Sequence, residues 1–321
     1  MCVTSPVQPG VETSLERMAR DDDRMADRTG DQPDNEDARA QLTAAGVRVV
    51  EVTDPRDART RDFTGLTDVA LRSAREPAEG LFIAEGAKTI ARAIDAGYLL
   101  RGALMSKRWL GPLATALLPA AAASGAEIYL ATDDVVESVT GYAVHRGALA
   151  SFARRELPSL AEVAAGTTSL IVLEDLTDHT NVGLIMRTAA ALGVGGAVLS
   201  PRCADPLYRR AIRTSMGAVL TLPYAQLANW YTGISELRSL GFRTLALTPD
   251  STATPLERAL KEHAATDQRI ALIVGSEGDG LTRRWMREAD DRVCIPMAAG
   301  IDSLNVAAAT AIACYLLTNR A

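Results

Sequence analysis

The sequence predicts an α/β protein of two domains, and three observations predict it. Segments of strand and helix character alternate from residue 64 to the end, the pattern of a mostly parallel sheet covered by helices. The run SLIVLEDL (residues 169–176) is apolar without alternation, which suits a parallel strand buried on both faces. Glycine recurs with small polar residues where predicted strands end, and ligands bind there in open α/β sheets. With 321 residues the chain is long enough for two domains and a sizeable core.

Residues 1–46 are polar and acidic with no hydrophobic period, and are predicted to be disordered. Residues 47–155 read as a small α/β domain. TGLTDVALRSAR (64–75) is a helix capped by Thr64 or Thr67, and LFIAEG (81–86) a strand ending at Glu85. AKTIARAIDAG (87–97) is a helix stopped by Gly97, YLLRGALMS (98–106) a strand, and WLGPLATALLPAAAASG (109–125) a helix ended by Gly125. AEIYLAT (126–132) is a strand, DDVVESVTG (133–141) an Asp-capped helix and HRGALASFA (145–153) a strand. Glu85 and Arg146 stand beside glycines at strand ends, where they either touch a ligand or finish turns.

Residues 156–167 are a linker containing a short helix, and residues 168–321 form the second domain. GAVLS (196–200), AVLTLPYA (218–225), FRTLALTPD (242–250), RIALIV (269–274) and DRVCIPM (291–297) are its further strands. DHTNVGLIMRTAAALG (178–193) is a loop and helix, with Asn181 placed in the loop. The last helix, from Val306 to Leu317, is apolar on every side and is predicted to be wholly buried. Just ahead of it Ser303 and Asn305 stand at a helix entrance, where free N–H groups can meet a ligand.

Composition narrows the function. Four cysteines without a CxxC pair and three isolated histidines argue against a zinc site and for a reduced, cytoplasmic protein. No targeting segment is visible, and the 12-residue apolar run is too short to span a bilayer. Aromatic residues are 4% of the chain, so stacking platforms for single strands are not advertised. The net charge of −6 is concentrated in residues 1–62, which hold 14 acidic and 9 basic side chains. The remainder has 26 acidic and 25 basic, near neutral, so a basic face for nucleic acid and ordinary solvated helix faces are both open. Candidate clusters are Arg101/Lys107/Arg108, Arg154/Arg155, Arg209/Arg210/Arg213 and Arg283/Arg284/Arg287.

Three segments carry the chemistry: Asn181 to Thr188, Gly275 to Gly280, and Ile295-Pro-Met297 with Ser303-Leu304-Asn305. Familiar nucleotide motifs do not fit them. GSEGDGLT lacks the P-loop lysine, and no third glycine completes a dinucleotide fingerprint.

NVGLIMRTAAALG, IVGSEGDGL and IPMAAGIDSLNVAAATAIACYL, in this order, resemble the three motifs of the SpoU family. These enzymes are S-adenosylmethionine-dependent RNA ribose 2′-O-methyltransferases of the SPOUT superfamily. The resemblance covers residues 168–318 and implies a trefoil-knotted catalytic domain. Residues 64–155 resemble, less specifically, the ribosomal-protein-like RNA-binding domain that precedes it in many members. The family implies S-adenosylmethionine as cofactor, held by Gly275, Ile295, Met297 and Leu304. It implies Arg187 as the catalytic arginine, with Asn181, Glu277, Ser303 and Asn305 as further catalytic residues. A buried salt bridge to Glu277 is the alternative account of Arg187. The family also implies a homodimer packed through the knot and an RNA substrate, rRNA before tRNA. A non-catalytic RNA-binding factor on the same fold, or an NAD-dependent oxidoreductase, are the competing readings.

Overall fold

The structure is a computed structural model and describes residues 35–144, 147–264, 268–298 and 302–319. The readings made for residues 1–34, His145 and Arg146 lie outside these residues. The strands are β1 (Val49–Glu51), β2 (Leu81–Glu85), β3 (Leu100–Ser106), β4 (Glu127–Ala131), β5 (Ala148–Ala153) and β6 (Ser169–Leu173). They continue with β7 (Gly196–Leu199), β8 (Tyr224–Gln226), β9 (Phe242–Leu247), β10 (Thr254–Pro255), β11 (Arg269–Val274) and β12 (Asp291–Cys294). By contact the described residues separate into two compact units, those within 35–67 and 85–152, and those within 68–84 and 153–319.

In the first unit β1, β4 and β3 are parallel neighbours, and β5 runs antiparallel to β3. The helices Ala87–Asp95, Leu110–Ser124 and Asp133–Thr140 stand where the sequence places them. Gly125 closes the second of these in the left-handed conformation that only glycine adopts cheaply. The cap of the third is Thr132, whose hydroxyl accepts from Val135 N–H, rather than an Asp. Glu85 accepts a 2.9 Å hydrogen bond from the Tyr142 hydroxyl, which gives it a structural task. A helix at Asn35–Ala44, with Ala38 and Leu42 buried, replaces the disorder expected there. Two apolar side chains one turn apart were enough to anchor a segment that is otherwise charged.

The second unit is built on a seven-stranded parallel sheet in the order β10-β12-β9-β11-β6-β7-β8. Its central strands β6 and β11 are buried along almost their whole length, as the apolar runs require. Leu170, Val172, Ala271 and Ile273 pack with Phe242, Leu237 and Trp285 on one face. The short helix Leu160–Ala164, started by a Ser159/Glu162 capping box, joins the same core. AVLTLPYA forms a strand only at Tyr224–Gln226, because residues 218–220 turn into a 3₁₀ segment after Gly217.

The helix Val69–Ala78 groups by contact with this second unit, unlike the 47–155 domain drawn from the sequence. Its cap is Asp68, not Thr64 or Thr67. Arg72 and Glu76 form a fully buried pair at 2.7 Å, and burial pushes the Glu76 carboxyl up despite the arginine beside it. A buried pair of this kind is held by its surroundings, here including Arg154 and Asp205.

The helix His179–Ala191 packs on the helix Arg209–Thr214 through Gly183. A Cβ at Gly183 would lie 2.0 Å from the Thr214 hydroxyl and 2.6 Å from the Ala211 carbonyl oxygen. The last helix, Val306–Thr318, packs on His179–Ala191 and on β11. Contrary to the sequence expectation it is not wholly buried. Thr310, Ala313, Cys314 and Leu317 are inside, but Ile312 is 41% and Tyr315 58% exposed. No described helix is long and apolar enough to cross a membrane.

Two outcomes check this packing. Gly183→Val should destabilise the protein by about 1–3 kcal/mol through overpacking at a backbone contact, read as a shift in denaturant midpoint. Burial pushes the Cys314 thiol up to about 12. Cys314 should therefore resist iodoacetamide at pH 8 in the native protein and react in denaturant, as peptide mapping would show; native labelling would refute this burial.

Candidate functional site

A cavity of about 340 Å³ opens at the carboxyl ends of β9, β11 and β12, against the start of the last helix. Its walls are Leu247–Pro249, the Gly275–Gly280 loop, Ile295, Met297, Ser303–Val306 and Ala309. Seven of the nine residues singled out in the sequence therefore meet there: Gly275, Glu277, Ile295, Met297, Ser303, Leu304 and Asn305. The strand-end location follows from the parallel sheet, where backbone groups beyond the last ladder bond face outward.

Asn305 ties the three motifs together. Its Oδ1 accepts from the backbone N–H groups of Ala307 (3.0 Å) and Ala308 (3.2 Å), so it is the N-cap of the last helix. Its Nδ2 donates to Asn181 Oδ1 at 3.3 Å and to Glu277 Oε1. Asn181 is almost wholly buried and reaches the site only through this bond.

Two placements differ from the sequence reading. Asn181 is inside the helix, in its first turn, not in the preceding loop. The cap is Asp178, whose Oδ1 accepts from Asn181 N–H at 2.9 Å, and this bond holds the Asp178 carboxyl below its ordinary range. Arg187, six residues on, consequently turns to another side of the helix. It is exposed, does not line the cavity, and makes no ion pair with Glu277 among the described residues. The helix is amphipathic: Val182, Ile185, Met186 and Ala189 are buried, while Leu184, Arg187 and Ala191 face out.

The fold of the loop itself requires glycine at Gly275. A Cβ there would lie 2.3 Å from the Gly280 carbonyl carbon and 2.4 Å from Leu281 N. The loop folds back on itself, with Ser276 and Gly280 bridged, and only a hydrogen fits between.

Two contributors were missed. Leu247-Thr248-Pro249 line the cavity because β9 ends there; the turn residues after FRTLAL were the available signal. Glu174, 1% exposed at the end of β6, accepts from Thr282 N–H (2.8 Å), the Thr282 hydroxyl (2.9 Å) and Trp230 Nε1 (2.8 Å). It anchors the segment that leaves the Gly275–Gly280 loop. An acidic residue closing an apolar strand was its sequence signal.

Asn305→Asp and Asn305→Ala separate the cap from the side-chain bridge. Asp should keep the cap but set a carboxylate against Glu277, so the fold survives while ligand binding at the cavity falls. Ala should lose the cap as well, costing about 1 kcal/mol in denaturant unfolding. Equal stability of Ala and wild type would contradict the capping role.

The model of the SpoU rRNA Methylase family matches residues 168–315. The uncharacterized tRNA/rRNA methyltransferase Rv0881 of Mycobacterium tuberculosis is 43% identical over 270 residues, 84% of this chain and 92% of that protein. The 23S rRNA (guanosine-2′-O-)-methyltransferase RlmB of Xanthomonas campestris is 28% identical over 64% of this chain and 82% of its own. Among solved structures, the AdoMet-bound rRNA methyltransferase of Sinorhizobium meliloti superposes with a TM-score of 0.72 at 26% identity, covering 84% of this chain and 97% of that one. With the three motifs, the parallel sheet and a relative this similar over nearly its whole length, the chain belongs to the SpoU rRNA methylase family.

Proposed function

We propose that the chain is a cytoplasmic RNA methyltransferase that moves a methyl group from S-adenosylmethionine to a ribose 2′-hydroxyl, with ribosomal RNA as substrate. The observation that carries this reading is the convergence of seven motif residues on one strand-end cavity, with Asn305 bonded to both other motifs. The names of the relatives support ribose methylation, and of RNA classes name 23S rRNA and tRNA.

The cavity fits the cofactor by chemistry. Leu247, Ile295, Met297 and Leu304 offer apolar walls for a purine, and strand-end backbone offers donors and acceptors for its edge. Glu277 offers a carboxylate to a cationic ligand. When bound, S-adenosylmethionine supplies a methyl group already activated by its sulfonium. The chain's task is to bring the ribose oxygen to it and to favour loss of that oxygen's proton. Glu277, held by Asn305, orients the hydroxyl together with Ser303. Arg187 acts as a guanidinium cation that holds phosphate and stabilises developing alkoxide charge.

Arg187 lies outside the cavity of its own chain, and this supports a homodimer in which it serves the second copy. Leu184, one turn before it, is 37% exposed, and Ile312 and Tyr315 form an exposed apolar stripe on the adjoining last helix. Covering such a stripe with its symmetry mate is a common route to a closed dimer. In this reading the last helix threads a trefoil knot, residues 168–321 are the catalytic domain and residues 47–155 engage the RNA.

Tritiated methyl transfer to rRNA lacking its own modification tests the activity. Label in an alkali-resistant linkage is expected; label in tRNA alone would move the substrate to tRNA, and no cofactor binding would sink the enzyme. Arg187→Ala should lose about 10²-fold or more in rate. Mixing Arg187→Ala with Glu277→Ala before dimer exchange should restore about a quarter of wild-type activity if Arg187 acts across the dimer. No recovery would place it in its own chain's site.

A further inference from the structure

We propose that Arg210 and Arg213 form a phosphate-binding surface for the substrate RNA. The proposal rests on the RNA methyltransferase reading and adds where the RNA backbone is held. It starts from the four basic clusters of the sequence, most of which the structure neutralises. Arg101 pairs with Asp62 at 3.1 Å, Lys107 with Glu51 at 3.3 Å and Arg108 with Asp133 at 3.3 Å. Arg154 is bonded to Asp205 and to the Leu81 carbonyl. Arg284 pairs with Glu288 at 3.0 Å and lies over the Tyr231 ring.

Arg283 is also exposed and unpaired among the described residues, but it stands alone; Arg210 and Arg213 are two such groups together, both exposed and with no carboxylate paired to either among the described residues. They are three residues apart on the helix Arg209–Thr214, so they share one side of it. The other side is fixed: Ala211 and Ile212 are buried, and Ala211 and Thr214 meet Gly183. Tyr208, which begins the helix, has its ring 4.2 Å from that of His179. Two guanidinium groups are thus held outward on a rigid base, beside the helix that carries Asn181 and Arg187.

The chemistry selects the ligand. Guanidinium forks match phosphate oxygens, and two exposed arginines on one helix side with no carboxylate paired to them among the described residues can both turn to a phosphate backbone. With aromatics only 4% of the chain, backbone charge must supply most of the affinity for RNA. Phosphate contacts of this kind position RNA without reading its sequence.

The test is fluorescence anisotropy of a labelled rRNA fragment, titrated between 50 and 200 mM salt. Arg210→Gln/Arg213→Gln is compared with wild type and with Arg101→Gln/Arg108→Gln, which removes paired arginines. The Arg210/Arg213 variant should bind RNA about tenfold more weakly at low salt, with the slope of log affinity against log salt reduced by about 1.4. The control should keep the slope, and calorimetry should show unchanged S-adenosylmethionine binding in both. An unchanged slope in a folded Arg210/Arg213 variant would overturn the proposal. A changed oligomeric state would do so as well, because the arginines would then face a second copy. Absence of RNA binding by wild type would instead defeat the underlying methyltransferase reading.

Discussion

The organisation of the site depends on the amide of Asn305. It ends the loop that follows β12, begins the last helix, and bonds to one residue from each of the other two motifs. An amide suits this position because it offers an acceptor and two donors on one rigid group. Serine or aspartate can cap a helix, but neither offers two N–H groups to carboxylate and amide oxygens at once. Three segments that are 124 and 28 residues apart in sequence are thereby held in one geometry.

Around that amide the backbone, more than side chains, sets the shape. Gly275 and Gly183 are both sites where a Cβ would meet main-chain atoms well inside contact distance. The first lets the loop after β11 fold back beneath the cavity; the second lets the helix carrying Asn181 approach its neighbour. Glu174 completes the frame from below, with two hydrogen bonds from Thr282 just past the loop and one from the Trp230 indole. A buried carboxylate is expensive unless satisfied, and these donors satisfy it while fixing where the loop ends. The Trp230 indole it holds stacks on Trp285 with centroids 4.1 Å apart, which extends the frame into the core.

Much of this was legible in the sequence, for identifiable reasons. Continuous apolar runs such as SLIVL and RIALIV can only be central parallel strands once helices alternate with them. Strand ends with glycine and small polar residues marked the three segments, and the resemblance to the family's motifs named the seven residues that line the cavity. The failures are also physical. A helix of Ala, Ile, Tyr and Leu has no polar face to reveal which side is solvent, so the exposure of Ile312 and Tyr315 could not be read. Arg187 within LIMRTAAAL looked buried because its neighbours are apolar, yet the 3.6-residue period puts it opposite the buried Ile185. Asn35–Ala44 was hidden by its charges, since two buried side chains leave almost no periodic signal.

The two surprises of exposure have one consequence. Apolar residues left in water on the last helix are unfavourable for an isolated chain, whereas the exposed arginine on its neighbour is solvated and needs no partner of its own. The last helix also lines the cavity through Val306 and Ala309, so a partner on its stripe would rest on an element of the site. A second copy of the chain meets that demand without any new surface, because it brings the same stripe and the same arginine. The acidic composition then ceases to argue against RNA. What matters is which arginines lack a carboxylate, and pairing removes most of them while leaving Arg210 and Arg213 turned to solvent. In the proposed dimer two such pairs would stand in one assembly, raising the local positive potential while the net charge of each chain stays negative.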